Sequence, residues 1–253
     1  MRSFSGRGKV LALALCLLVL VPGLARSSEA LPTLKVVVNA APPYRIIEKE
    51  EYATLISGIY VDVMREAASR AGFKLKFVIA SFIQALSMME TGAVDVMLGP
   101  NRLPDRERYM HFLEPALPAE PKVVLLAADA SDVADLVELA GKRVGVLPGA
   151  SYGPAFDAAD AFEKVPLRSY VDGMGMVANT YLDAVVVPEQ LGDYLMLKTE
   201  LTLKKATLRM PGRPSYIAWS NLSPVLDLKG KLQAALKTVL EDGTFERILA
   251  SYR

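Results

Sequence analysis

Apolar and polar positions follow two different periods along the chain, and the switches between them outline its elements. Residues 34–39 form a short β-branched run that predicts a strand. In residues 59–71, Ile59, Val63, Ala67 and Ala71 fall on one helical stripe, which Gly72 ends. Residues 75–79 predict the next strand, and Ser81 is an N-cap candidate for a helix running through Met89 and Glu90. Residues 94–98 predict a third strand, closed by the turn cluster Gly99-Pro100-Asn101, with Pro104 placed to open a following helical turn. This βαβαβ order predicts an open, largely parallel sheet with helices on both faces.

The alternation restarts near residue 119. Residues 122–127, 144–147, 167–170 and 184–187 read as strands, and residues 132–140 and 152–162 as helices, which predicts a second α/β unit. Met210-Pro211-Gly212-Arg213-Pro214 is the densest turn cluster of the C-terminal half, and an extended apolar run at 215–220 follows it. A return crossing to the first unit is expected there. Residues 226–252 read as helix, a break at Gly243, and helix, with Leu228, Leu232, Ala235, Leu236, Val239 and Leu240 as the apolar stripe. Two crossings make the first lobe discontinuous: residues 31–118 plus 215–253 form lobe 1, and residues 119–214 form lobe 2. A cleft between two such lobes favours a ligand, and two linking strands permit hinge closure.

Residues 1–30 are set apart from this pattern. Arg2, Arg7 and Lys9 precede an unbroken apolar run at 10–21, which Pro22-Gly23 breaks. At 12 residues the run is shorter than the roughly 20 needed to span a bilayer, so it reads as a cleaved signal peptide. Cleavage after Ala25 or after Ala30 fits equally. Cys16 is the only cysteine; Leu15 stands where a small residue would precede a lipid-modified cysteine, so Cys16 reads as part of the apolar run. Its removal leaves no thiol, which excludes disulfides and cysteine-metal sites. Loss of the three n-region bases takes the formal charge from +1 to −2, leaving no basic field for nucleic acid or an anionic membrane. His111 is the only histidine, so an imidazole metal site or a Ser-His relay has no support, and no cofactor is expected. Trp219, in the return strand, reads as core.

The candidate chemistry gathers at residues 92–112, where an apolar strand runs into a turn bearing an arginine cluster. Arg106, just past the strand end, can present its guanidinium fork to a carboxylate. Arg102 follows the same logic, and Asn101 and the Gly99 backbone lie at the same turn. The competing reading is a solvated surface run, Asp105-Arg106-Glu107-Arg108. In the second unit, Gly149-Ala150-Ser151 precedes a predicted helix, so the Ala150 amide and the Ser151 hydroxyl can bind a carboxylate, or Ser151 can cap its own helix.

These residues resemble the signature of the family 3 bacterial extracellular solute-binding proteins, in which Gly-x-x-Asp precedes a strand and Thr-x-x-Arg follows it. Gly92-Ala93-Val94-Asp95 fits, Arg106 stands six residues before Phe112, and Leu103 replaces the threonine. Pro42-Pro43-Tyr44, Gly58-Ile59-Tyr60-Val61-Asp62, Leu139-Ala140-Gly141-Lys142-Arg143-Val144-Gly145-Val146, Leu182-Asp183-Ala184-Val185 and Glu241-Asp242-Gly243-Thr244-Phe245 continue the likeness in order. The resemblance implies a type II periplasmic-binding-protein fold, two α/β lobes joined by a two-strand hinge. It makes Arg106 the clamp of a ligand carboxylate and Tyr44 and Phe82 aromatic walls of the site, with core packing the rival for Phe82. Tyr60 reads as structural. Where the family carries an aspartate for a ligand ammonium, Pro188 stands here. Glu189, one residue on, is its substitute or else a surface glutamate. The implied function is a non-enzymatic periplasmic binding protein, monomeric, that delivers a carboxylate-bearing polar ligand to the permease of an ABC importer. A sensor subunit is the alternative. A cyclohexadienyl-dehydratase-like enzyme is a further one, with Glu189 as its general acid.

Overall fold

The computed structural model describes residues 30–252, so the signal-peptide reading of residues 1–30 falls almost wholly outside the described residues. Chain order is β1 (Thr33–Val38), β2 (Ile46–Lys49), β3 (Thr54–Ser57), α1 (Ile59–Ala71), β4 (Lys74–Ile79), α2 (Phe82–Glu90), β5 (Val96–Asn101), β6 (Met110–Phe112) and β7 (Leu117–Ala127). There follow β8 (Arg143–Val146), α3 (Pro154–Ala158), β9 (Glu163–Pro166), α4 (Tyr170–Ala178), β10 (Ala184–Pro188), α5 (Glu189–Thr199), β11 (Leu203–Ser220), α6 (Lys229–Glu241) and α7 (Thr244–Ala250).

β1 lies between β4 and β5, all parallel, and β8 lies between β9 and β10, again parallel. The two parallel sets are joined by β7 and β11, an antiparallel pair that runs from one to the other. A division at 118/119 and 214/215, which we propose, falls within these two continuous strands.

Local chemistry explains several boundaries. α1 ends where Gly72 turns to φ 76°, and α2 begins with a reciprocal capping box in which Ser81 accepts from the Gln84 amide and Gln84 accepts from the Ser81 amide. Gly243, at φ 82°, separates α6 from α7. Leu232, Leu236 and Val239 of α6 are fully buried in the cluster that holds Val63 and Met64 of α1 and Trp219 of β11. Each such aliphatic side chain contributes about 1.5–3 kcal/mol by leaving water.

The structure departs from the periodicity reading where tertiary pairing overrides local preference. Gly99-Pro100-Asn101 is not a turn but the end of β5; Leu98 pairs with Ile217 and Asn101 with Ser215, so β5 carries one extra residue, and Gly99 takes φ 84° to absorb it. The 210–214 cluster likewise lies within β11, whose pairing with β7 slips around its two prolines. Gly212 is required there, because a Cβ would collide with the Glu120 backbone. The helix expected at 132–140 shrinks to a 3-10 turn, Leu136–Leu139, since Asp132 accepts from the Thr207 amide at 3.0 Å and holds its segment extended against β11. The helix expected at 152–162 is only α3, and the strand expected at 167–170 is displaced to β9, because Ser169 caps α4 by accepting from the Asp172 amide at 3.1 Å. The β2–β3 hairpin, α4 and α5 were not expected.

Candidate ligand site

The C-terminal ends of the parallel strands β1, β5, β8 and β10 converge on one cavity of about 70 Å³, the position at which open α/β sheets bind ligands. After β1 the chain closes a tight loop in which the Ala41 amide donates to the Arg45 carbonyl at 2.9 Å and the Arg45 amide donates back to the Ala41 carbonyl at 3.0 Å. That loop turns Tyr44 and Arg45 inward, and both are buried. Tyr44 packs on Tyr60, the second residue of α1, with ring centroids 4.6 Å apart. Arg45 donates from Nε to the Asn39 carbonyl at 3.1 Å and lies 5.8 Å from the Tyr60 ring centre. Gly99 makes room for it, since a Cβ at that position would overlap Arg45 Nη1.

β7 supplies Glu120 and Lys122 to the same cavity, and α4 supplies Tyr170 at its first turn. Glu120 Oε1 accepts from the Gln190 amide at 2.7 Å, so its carboxylate covers the N-terminus of α5, whose N-cap residue Pro188 has no side-chain acceptor. Tyr44 Oη donates to Gln190 Oε1 at 2.8 Å, completing the link. Burial dominates the electrostatics. It pushes the Glu120 carboxyl up, against the pull of Lys122 and the Gln190 amide, and pushes the Lys122 ammonium and the Arg45 guanidinium down. It also holds Tyr60 and Tyr170 protonated, both pushed up to about 12.

Arg106 is 2% exposed, on the turn after β5. Nη1 donates to the Asn101 carbonyl at 3.0 Å and Nη2 to the Gly149 carbonyl at 2.5 Å, with the guanidinium carbon 5.7 Å from the centre of the Phe82 ring. Phe82 and Asn101 line the cavity and Arg106 stands directly behind them.

Residues 34–253 match the model for bacterial extracellular solute-binding proteins, family 3. The chain belongs to this family. PatH of Vibrio harveyi, which carries the name of an amino-acid ABC transporter-binding protein, is 23% identical over 81% of this chain and 82% of its own length. The substrate-binding protein AbpA of Streptococcus pneumoniae, solved with L-arginine, superposes with a TM-score of 0.76 at 20% identity, over 87% of this chain and 94% of that one. A histidine kinase sensor domain superposes with a TM-score of 0.74 at 21% identity, over 87% and 95%. The fold is thus that of type II periplasmic binding proteins, two α/β lobes with the cavity at their junction, and the protein is a bacterial extracellular solute-binding protein.

Within this family member, Tyr44, Phe82, Gly99, Asn101, Ala150 and Ser151 all line the cavity, together with Pro188. The Ser151 hydroxyl neither caps α3, whose N-cap is Gly153, nor stands free; it donates to Asp157 Oδ2 at 2.5 Å. Three expected residues do not line it: Arg106, set behind Phe82 and Asn101 with its guanidinium on two carbonyls, Arg102 and Glu189. Arg102 is half exposed and ion-paired with Glu107 and, at 3.5 Å, with Glu114, outside the cavity. Glu189 points to the outer side of α5, paired with Lys205 at 3.0 Å and Arg209 at 2.5 Å. Those partners hold its carboxyl below the usual range, the reverse of what a general acid needs. Arg45, Glu120, Lys122 and Tyr170 were missed. Arg45 directly follows the Pro42-Pro43-Tyr44 motif, whereas the polar Glu120-Pro121-Lys122 stretch carries no sign that it is buried. Tyr60, read as structural, is a wall of the cavity.

Proposed function

We propose that the protein captures a small carboxylate-bearing polar ligand, an amino acid or related organic acid, in the periplasm and passes it to the membrane permease of an ABC importer. Family membership supports a periplasmic location, and we place signal cleavage after Ala25 or Ala30. The observation that carries the ligand class is the buried guanidinium of Arg45, facing a cavity walled by Tyr44, Tyr60 and Phe82, with Arg106 behind it. The aromatic rings supply apolar contact and the cations supply charge-assisted hydrogen bonds in a site shielded from water. At about 70 Å³ the cavity is far below the ~300 Å³ lower end of typical ligand pockets, so capture requires the junction of the lobes to open and close. The names of the relatives, amino-acid transport for PatH and bound L-arginine for AbpA, agree with this class.

The test is a thermal-shift screen against amino acids, dicarboxylates and keto acids, with Arg106→Ala alongside. A ligand at a hundredfold excess over its dissociation constant stabilises by about 2.7 kcal/mol, a readily measured shift. Absence of any shift across the three classes rejects the reading. The likeness to a histidine kinase sensor domain supports a second reading, in which the ligand-bound form docks on a receptor. Co-purification with a permease or with a receptor ectodomain separates the two.

A further inference from the structure

We infer that the ligand of this cavity is a small acid carrying two negative charges and no ammonium, a dicarboxylate rather than an α-amino acid. This rests on the reading of the cavity as the ligand site and narrows it.

The argument is a charge inventory of the lining. Arg45 is 6% exposed and has five N–H donors, yet among the described residues its side chain has one protein acceptor, the Asn39 carbonyl, and no carboxylate within 4.0 Å. Lys122, on β7, lines the same cavity and its ammonium has no protein acceptor among the described residues. Arg45 is buried and Lys122 half-buried, and two cations held without acidic partners at one cavity suit it to anionic groups.

The one carboxylate of the lining does not offset them for a ligand's benefit. Glu120 Oε1 accepts from the Gln190 amide at the start of α5, and the Tyr44 hydroxyl donates to Gln190 Oε1. A ligand ammonium would therefore enter beside two cations, with the single carboxylate of the lining already shared with the start of α5. Pro188, which pairs with Lys122 across β10 and β7, offers neither a charge nor an N–H at that wall. Among the described residues, Arg45 and Lys122 each line the cavity with no carboxylate within 4.0 Å, and a dicarboxylate gives each of them one. A zwitterionic amino acid leaves the excess in place, and a cationic one such as arginine adds to it.

Isothermal titration of the protein expressed from the full chain tests this, with malonate, succinate and 2-oxoglutarate against butyrate, L-aspartate, L-glutamate and L-arginine. The dicarboxylates are expected to bind more than about tenfold tighter than every other probe. Lys122→Met is expected to weaken dicarboxylate binding by more than about tenfold while sparing butyrate, and Lys122→Arg to retain it. Unfolding midpoints of both variants confirm that they are folded. Tighter binding of an amino acid, or unchanged dicarboxylate affinity in Lys122→Met, overturns the inference and leaves the solute-capture reading standing. Binding of none of the probes overturns both.

Discussion

Arg106, on the turn after β5, donates through Nη2 to the carbonyl of Gly149, on the loop after β8, at 2.5 Å. The same guanidinium holds the Asn101 carbonyl at 3.0 Å, so one buried side chain ties the first parallel set of strands to the second. Hydrogen bonds from a charged group contribute about 1.5–3 kcal/mol each, offset here by the cost of burying the cation. Arg106→Ala is expected to lower unfolding free energy by about 1–3 kcal/mol in urea, independently of any ligand. An unchanged midpoint would show that the two carbonyl contacts carry no net stability.

Asp95 is 5% exposed and accepts from the Lys35 amide at 2.8 Å and the Ser223 hydroxyl at 2.7 Å, joining β1, β5 and the end of β11. Its place in the Gly-x-x-Asp motif is therefore structural, and it lies outside the cavity. Asp95→Ala leaves a part-buried amide and a buried hydroxyl without acceptors, and is expected to cost about 2–4 kcal/mol by chemical denaturation. Ligand affinity measured on the folded fraction is expected to stay unchanged; a large affinity loss with little instability would move Asp95 into the binding machinery.

Acid stability gives a third measurement. Hydrogen bonds from Thr244 and Arg70 lower the Asp242 carboxyl from 3.8 to about 2. A depressed folded-state value means the contribution is full above the unfolded value near 3.8 and disappears as pH falls through about 2. Asp242→Asn is thus expected to be less stable than the parent at neutral pH, with the gap closing between about pH 4 and pH 2. Because the pair is exposed, the gap is expected to shrink with added salt. A gap independent of pH would assign the effect to packing rather than charge.

What could be read from the sequence divides along physical lines. Features set by near neighbours were legible: the Ser81 cap, the Gly72 and Gly243 breaks, and the stripe of α6 all follow from chemistry within a turn or two. Features set by partners far along the chain were not. Pro211, Gly212 and Pro214 carry every local mark of a turn, yet β7 recruits them into a strand because Gly212 lets the two backbones close up. The site follows the same rule. Tyr44 and Phe82 were found through motif position, while nothing local to Glu120 and Lys122 marks them; the pairing of β7 with β10 and β11 brings them to the cavity. Glu189 shows the opposite error. Its place in the chain suggested a ligand contact, but Lys205 and Arg209 from β11 claim its carboxylate.

Gly99 offers the sharpest test of how the cavity is held. Its φ of 84° strains any L side chain by about 1–2 kcal/mol, and a Cβ would also displace the Arg45 guanidinium and press on the Tyr60 ring. Gly99→Ala is therefore expected to lose ligand-induced thermal stabilisation altogether while the unliganded protein still folds. Arg45→Gln is expected to lose it too, through the missing cation rather than the clash. The double variant separates the two causes: shortening Arg45 relieves the overlap, so its stability loss should be smaller than the sum of the single losses, and binding should remain absent. Strict additivity in stability would mean that Gly99 serves only the β5 bulge and that Arg45 owes its position to Asn39 alone.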